Sequence, residues 1–233
     1  MRGAKILIPL GLLVMVTACG PAEWLNPFYN DADVTFDPAL VGRWSDPGGG
    51  TLRFQKADDE TYKVVDIEVH SDGTREKTIF EGRLVRLGDY LFLDVLPQPA
   101  AHPGSYAFSV APSEDENGLQ PHLVEVGDGL YASFVRAPQG SAGDEGSSYE
   151  LHLIQGHWVF RVWLDGDKLR IADLSEDWFR GAVNQGKVEI GHEEVNNTLV
   201  LTASTPDLRA FLLEYAGDQD AFPEPEEVWS RQK

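Results

Sequence analysis

The chain is short of cysteine, with one, Cys19, in 233 residues. A single thiol excludes an intrachain disulfide and every cysteine-rich metal cluster. Positive charge is scarce as well: 19 Lys and Arg stand against 38 Asp and Glu, a formal net charge of −19. A surface of that sign repels phosphates, and no stretch of sequence gathers basic residues into a nucleic-acid footprint. A membrane-spanning run is missing. The apolar segment Ile6–Val16 has eleven residues, two of them Pro9 and Gly11, where a spanning helix needs about 20. Catalytic signatures are missing too. Gly140-Ser141-Ala142-Gly143 lacks the spacing of a nucleophile elbow, and His192-Glu193-Glu194-Val195-Asn196 lacks the second histidine of a zinc helix. No phosphate loop or dinucleotide fingerprint occurs, so a non-enzyme without cofactor or resident metal is expected.

What is present begins at the N-terminus. Arg2 and Lys5 precede the apolar segment, and Thr17 and Ala18 lead from it to Cys19, the layout of a secretory signal. Val16-Thr17-Ala18-Cys19 resembles the lipobox of bacterial lipoproteins. That resemblance implies cleavage before Cys19, lipid on that cysteine and an address in the bacterial cell envelope. Gly20, standing where an Asp would signal inner-membrane retention, favours the outer membrane. One acyl chain binds a bilayer marginally, whereas two or more hold it stably at roughly 0.8 kcal/mol per buried methylene. Loss of residues 1–18 leaves 215 residues in which 17 basic side chains face 38 acidic ones, a net charge of −21. Lipid on Cys19 is therefore the expected membrane contact. Residues 19–38 show no clean period and read as a tether, 39–217 as a single domain, and 218–233 as an acidic tail ordered only in part.

Within the domain, turn signals set strand registers. A two-residue turn at Asp72-Gly73 pairs Val69 with Glu76, Ile67 with Thr78 and Val65 with Phe80, and on the other face Glu68 with Lys77. A turn at Gly88-Asp89 pairs Leu84 with Leu93, Gly82 with Val95 and Arg83 with Asp94. Farther on, Asp165-Gly166 pairs Val162 with Leu169, and Gln155-Gly156 pairs Leu153 with Trp158, Leu151 with Phe160 and Tyr149 with Val162. Each turn leaves one apolar and one charged face. Gly127-Asp128-Gly129 marks a further hairpin, Leu199–Ala203 a last strand, and Pro97–Gly104, Pro112–Pro121 and Ala137–Ser148 loops.

Two helices interrupt the strands. Ser175-Glu176-Asp177 caps a short helix near 176–184, and Thr205-Pro206-Asp207 opens a C-terminal helix near 206–216 with Leu208, Phe211, Leu212 and Tyr215 at helical spacing. The fold class is therefore mainly β, in antiparallel up-and-down meanders, and closing them into a barrel removes their exposed edges. Gly42-Arg43-Trp44, at the start of the first strand, resembles the Gly-x-Trp signature of lipocalins and related calycins. The resemblance implies a lipocalin-like barrel whose floor Trp44 closes.

Inward aromatics Tyr149, Trp158 and Phe160, with Trp44, are the candidate lining of a ligand cavity. The same faces put His152, His157 and Glu150 near one another, but Arg161 opposite Glu150 claims that carboxylate and no metal is assigned. Glu114-Asp115-Glu116-Asn117-Gly118 lacks the spacing of a calcium loop. Three functions remain open. The first is a lipid-anchored, non-enzymatic binder of a small apolar ligand. The second is an envelope interaction or assembly protein using an outer patch of Ile154, Val159 and Trp163. The third is a hydrolase.

Overall fold

A computed structural model describes residues 21–70, 72–97, 123–127, 130–136, 149–225 and 227–232, with side chains outside 123–154. The signal segment, Cys19, the acidic loop at 114–118 and most of the three expected loops lie outside the described residues. The chain runs through β1 (Glu23–Trp24), a 3-10 turn (Asp31–Asp33), β2 (Val34–Thr35), β3 (Gly42–Ser45) and β4 (Thr51–Lys56). It continues with β5 (Thr61–Val69), β6 (Arg75–Leu87), β7 (Tyr90–Pro97), β8 (Leu123–Gly127), β9 (Leu130–Arg136) and β10 (Tyr149–Gln155). After these come β11 (His157–Asp165), β12 (Lys168–Ala172), α1 (Glu176–Asn184), β13 (His192–Val195), β14 (Thr198–Leu201), α2 (Thr205–Tyr215) and β15 (Trp229–Arg231).

Eight strands form a closed antiparallel ring in the order β3-β4-β5-β6-β7-β11-β12-β15, so the fold is mainly β and the lipocalin-like barrel is present. Closure depends on a segment expected to be tail: β15 bridges β12 (Leu169 with Trp229) and β3 (Trp44 with Arg231). Without it both strands would expose unpaired backbone. The acidic residues of 218–233 hid this strand, because three residues are too few for a period-2 signal.

Three expected registers change and one holds. The Gly88-Asp89 hairpin keeps Leu84 opposite Leu93, Gly82 opposite Val95 and Arg83 opposite Asp94. At the β5–β6 turn, His70 N–H donates to the Thr74 carbonyl at 2.9 Å, leaving three residues between them rather than two. Gly73 takes φ +82° there, as a three-residue hairpin loop requires. The register therefore moves by one: Val65 faces Ile79, Ile67 faces Lys77 and Glu68 faces Glu76. A one-residue slip exchanges faces, so Tyr62 and Val64 point into the barrel while Val65 and Ile67 point out. At the β11–β12 turn, Asp165 pairs with Lys168 and Val162 with Ile171, a slip of two that preserves the faces. The Gln155-Gly156 hairpin does not form. β10 pairs with β9 in a separate three-stranded sheet, and β11 pairs with β7 through Trp158–Val95 and Phe160–Leu93. Local alternation cannot tell a hairpin from two strands that continue into different sheets. The Gly127–Leu130 hairpin between β8 and β9 is present.

Most buried side chains pack in two cores. The barrel interior holds Trp44, Phe54, Tyr62, Leu84, Leu93 and Leu169, none more than 3% exposed. A second core lies outside β6, β7 and β11, where Val85, Leu87, Phe92 and Val159 meet α1, α2 and the N-terminal segment. Residues 21–38 are thus built into the fold rather than forming a tether. Trp24 and Phe28 are fully buried, and Phe28 sits edge-on to Trp24 and Phe92 with ring centres 6.1 and 5.6 Å away. Two buried aromatics contribute several kcal/mol of apolar burial, which outweighs the missing periodicity. Val159, expected in an exposed patch, is 2% exposed beneath this layer. Both expected helices are present. Ser175 caps α1 by accepting from the Trp178 N–H at 3.3 Å, and Ser204, one residue before the expected Thr205, occupies the N-cap position of α2 without a side-chain bond to the helix backbone.

Candidate ligand site at the open end of the barrel

One end of the barrel is shut. Residues 36–41 fold across it with Leu40 buried, and Phe36 stacks on Tyr62 at 4.7 Å. The Tyr62 hydroxyl accepts from the Asp37 N–H at 2.7 Å and fixes the crossing. Trp44 completes this plug, its indole N–H donating to the Leu40 carbonyl at 2.9 Å. The Arg231 guanidinium stacks 4.2 Å from the Trp44 ring and donates to the Val41 carbonyl at 2.8 Å and to the Ala39 carbonyl. Trp44 is thus a floor residue and fully buried. Arg231 is its missed partner, since nothing in the sequence links positions 44 and 231.

The opposite end, where β5 and β7 finish and β6 and β11 begin, differs. Inward side chains there stay half-buried: Leu52, Trp158, Phe160, Ile171 and Trp229. Trp158 lies 5.2 Å from Phe80, and Phe80 faces Val64 across the β5–β6 ladder. One inward row nearer the rim, Asp66 faces Thr78. Gln155 Nε2 donates to the Pro97 carbonyl and ties the end of β10 to this rim. Two polar groups on these strands have incomplete hydrogen bonds. Neither the Trp158 Nε1 nor Asp66 Oδ1 has a partner among the described residues, although both atoms are buried. Burial, with Glu68 and Asp46 nearby, pushes the Asp66 carboxyl up to about 6. Apolar and aromatic side chains with a few polar groups are the usual lining of a small-molecule site.

Of the four expected lining residues, Trp158 and Phe160 come together at this rim, Trp44 lies at the closed end, and Tyr149 sits on β10, paired with Arg136 in the other sheet. The histidine set also separates: His157 is on β11, whereas His152 is on β10, opposite Ser133. Among the described residues no three metal-ligating side chains gather.

A buried polar network escaped the sequence because its members are far apart in the chain. Asp94, 1% exposed, accepts from the Tyr29 hydroxyl at 3.0 Å and bonds His157 Nδ1 at 2.9 Å. Burial and the Asp94 carboxylate raise the Tyr29 phenol far above its ordinary range. Through the Tyr29 hydroxyl this network holds the N-terminal segment against the barrel wall. No hydroxyl or thiol nucleophile is bonded to His157 among the described residues, so the pair lacks the third member of a hydrolytic triad. Family models, known proteins and solved structures offer no match to this chain.

Proposed function

We propose that the chain is a lipid-anchored protein of the bacterial envelope, held in the outer membrane by Cys19, whose barrel binds a small apolar ligand without catalysing a reaction. The observation that carries the binding half is the half-buried set Trp158, Phe160, Leu52, Ile171 and Trp229, with two buried polar atoms, Trp158 Nε1 and Asp66 Oδ1, that have no partner among the described residues. A ligand with an apolar body and one hydrogen-bonding head would cover the rings, accept from the Trp158 N–H and donate to Asp66. The lipobox resemblance at Val16–Cys19 carries the anchoring half.

Native mass spectrometry of the full chain purified from its own envelope tests the first half. A reproducible extra mass is expected, lost on solvent extraction and lost in Trp158→Ala with Phe160→Ala. A bare mass, with no uptake of fatty acids by the extracted protein, refutes a carrier. Labelling with radioactive palmitate tests the second half: label and membrane association should both disappear in Cys19→Ser, and their persistence would overturn the anchor.

A further inference from the structure

The outer wall of β3, β4, β5 and β6 carries a separate groove of about 990 Å³. Its lining includes Arg43, Arg53, Lys56, Lys63 and Lys77 and, among the described residues, no Asp or Glu. Those five are drawn from 19 basic residues in a chain with 38 acids, so the concentration runs against the composition. Lys56 is neutralised by Asp59 at 2.7 Å. Glu81 faces Lys63 across the ladder but is engaged with Arg83 at 2.6 Å. Arg43 has only the Thr51 hydroxyl at 3.5 Å, and Arg53, Lys63 and Lys77 have no ion-pair partner among the described residues. Arg43 and Arg53 are directly opposed in the β3–β4 ladder. Like charges in that position destabilise a sheet, and retaining them without a carboxylate indicates a demand other than stability.

The floor between these cations is aliphatic. Val65 is 9% exposed, Ile67 and Val41 are half-buried, and the one aromatic among the described lining residues, Phe54, is 1% exposed and belongs to the interior. Sugars and nucleobases are held by stacking on exposed rings, which this floor does not offer. The ring order puts β4 opposite β11, the strand to which β1 is paired. With lipid on Cys19, only about 10 Å of extended chain separates the anchor from buried Ala22. That length cannot bring the far wall of the barrel to the same bilayer.

We propose that this groove docks an extended acidic segment of a partner protein. Its carboxylates sit on Arg43, Arg53, Lys63 and Lys77, with arginine forks suited to bidentate contacts. Its alternate aliphatic side chains lie on Val65 and Ile67. The test is fluorescence anisotropy of a labelled decapeptide alternating Glu and Val, added to the full lipidated chain in neutral detergent. Binding that weakens as salt rises is expected, together with at least a tenfold loss in Arg53→Gln with Lys63→Gln, both exposed positions. Arg43→Gln should weaken binding while raising the thermal midpoint, because it removes the opposed charge. Equal binding by wild type and the double variant would overturn the proposal, as would equal binding of a Gln-Val peptide. Tighter competition by phosphatidylglycerol vesicles or polygalacturonate would overturn it in favour of a membrane or a polysaccharide.

Discussion

Replacing Arg231 by Ala tests whether the C-terminal strand holds the barrel shut. The side chain donates to the Val41 and Ala39 carbonyls and stacks 4.2 Å from the Trp44 ring. It also pairs with Asp167 at 3.2 Å, but Asp167 is 66% exposed and that contact counts for little. Hydrogen bonds from a charged donor contribute about 1.5–3 kcal/mol each, and the low end applies to a side chain one quarter exposed. Stacking adds about 1 kcal/mol. The rotamer freedom regained by removing an arginine offsets about 1–2 kcal/mol of this. A net loss of about 2–3 kcal/mol follows, a large fraction of a typical 5–15 kcal/mol. For a domain of this size that corresponds to a fall of roughly 4–12 °C in midpoint. Urea unfolding followed by tryptophan fluorescence measures it, with Arg231→Lys losing about half as much because it keeps the charge but not the fork. A loss below about 0.5 kcal/mol in Arg231→Ala would refute the role given to β15.

Asp66→Asn should stabilise the protein above pH 6 by about 1 kcal/mol, discounted for partial exposure. The folded-state value of about 6 lies above the unfolded value, so ionisation opposes folding: the benefit should shrink as pH falls from 6 to 4 and vanish below. Melting curves across that range check this. Asp94→Ala should cost about 2–4 kcal/mol, since it strands the Tyr29 hydroxyl and His157, and Tyr29→Phe about 1 kcal/mol; denaturant midpoints that leave the two alike would sink the network. Gly82→Ala should cost about 1–3 kcal/mol by overpacking, because an added Cβ would lie 2.9 Å from Val64 Cγ2.

Faces and turns were legible where a single hairpin decided them. Gly88-Asp89 has a two-residue loop, and its pairings came out in register along the whole of β7. At Asp72-Gly73 the residue pattern could not distinguish a two-residue from a three-residue loop. That one-residue difference turned Val65 and Ile67 outward and hid the basic groove, whose members come from four strands. Two of the five candidate rim residues, Trp158 and Phe160, were visible as aromatics alternating on one strand. Ile171 shared their inward face in the alternation, whereas Leu52 and Trp229 were not visible, because their approach depends on ring closure.

By itself the sequence determined the strand-forming stretches, both helices and the inward alternation of most strands, because periodicity, caps and turn residues act over a few neighbours. It also determined the acidic balance and the lipobox resemblance that motivates an anchor. Only the tertiary structure decided that Trp229–Arg231 closes the barrel, that residues 21–38 form part of a second core, and that β10 and β11 part into different sheets. Each of these is a contact between residues far apart in the chain, where the free energy of burial and backbone pairing overrides local pattern.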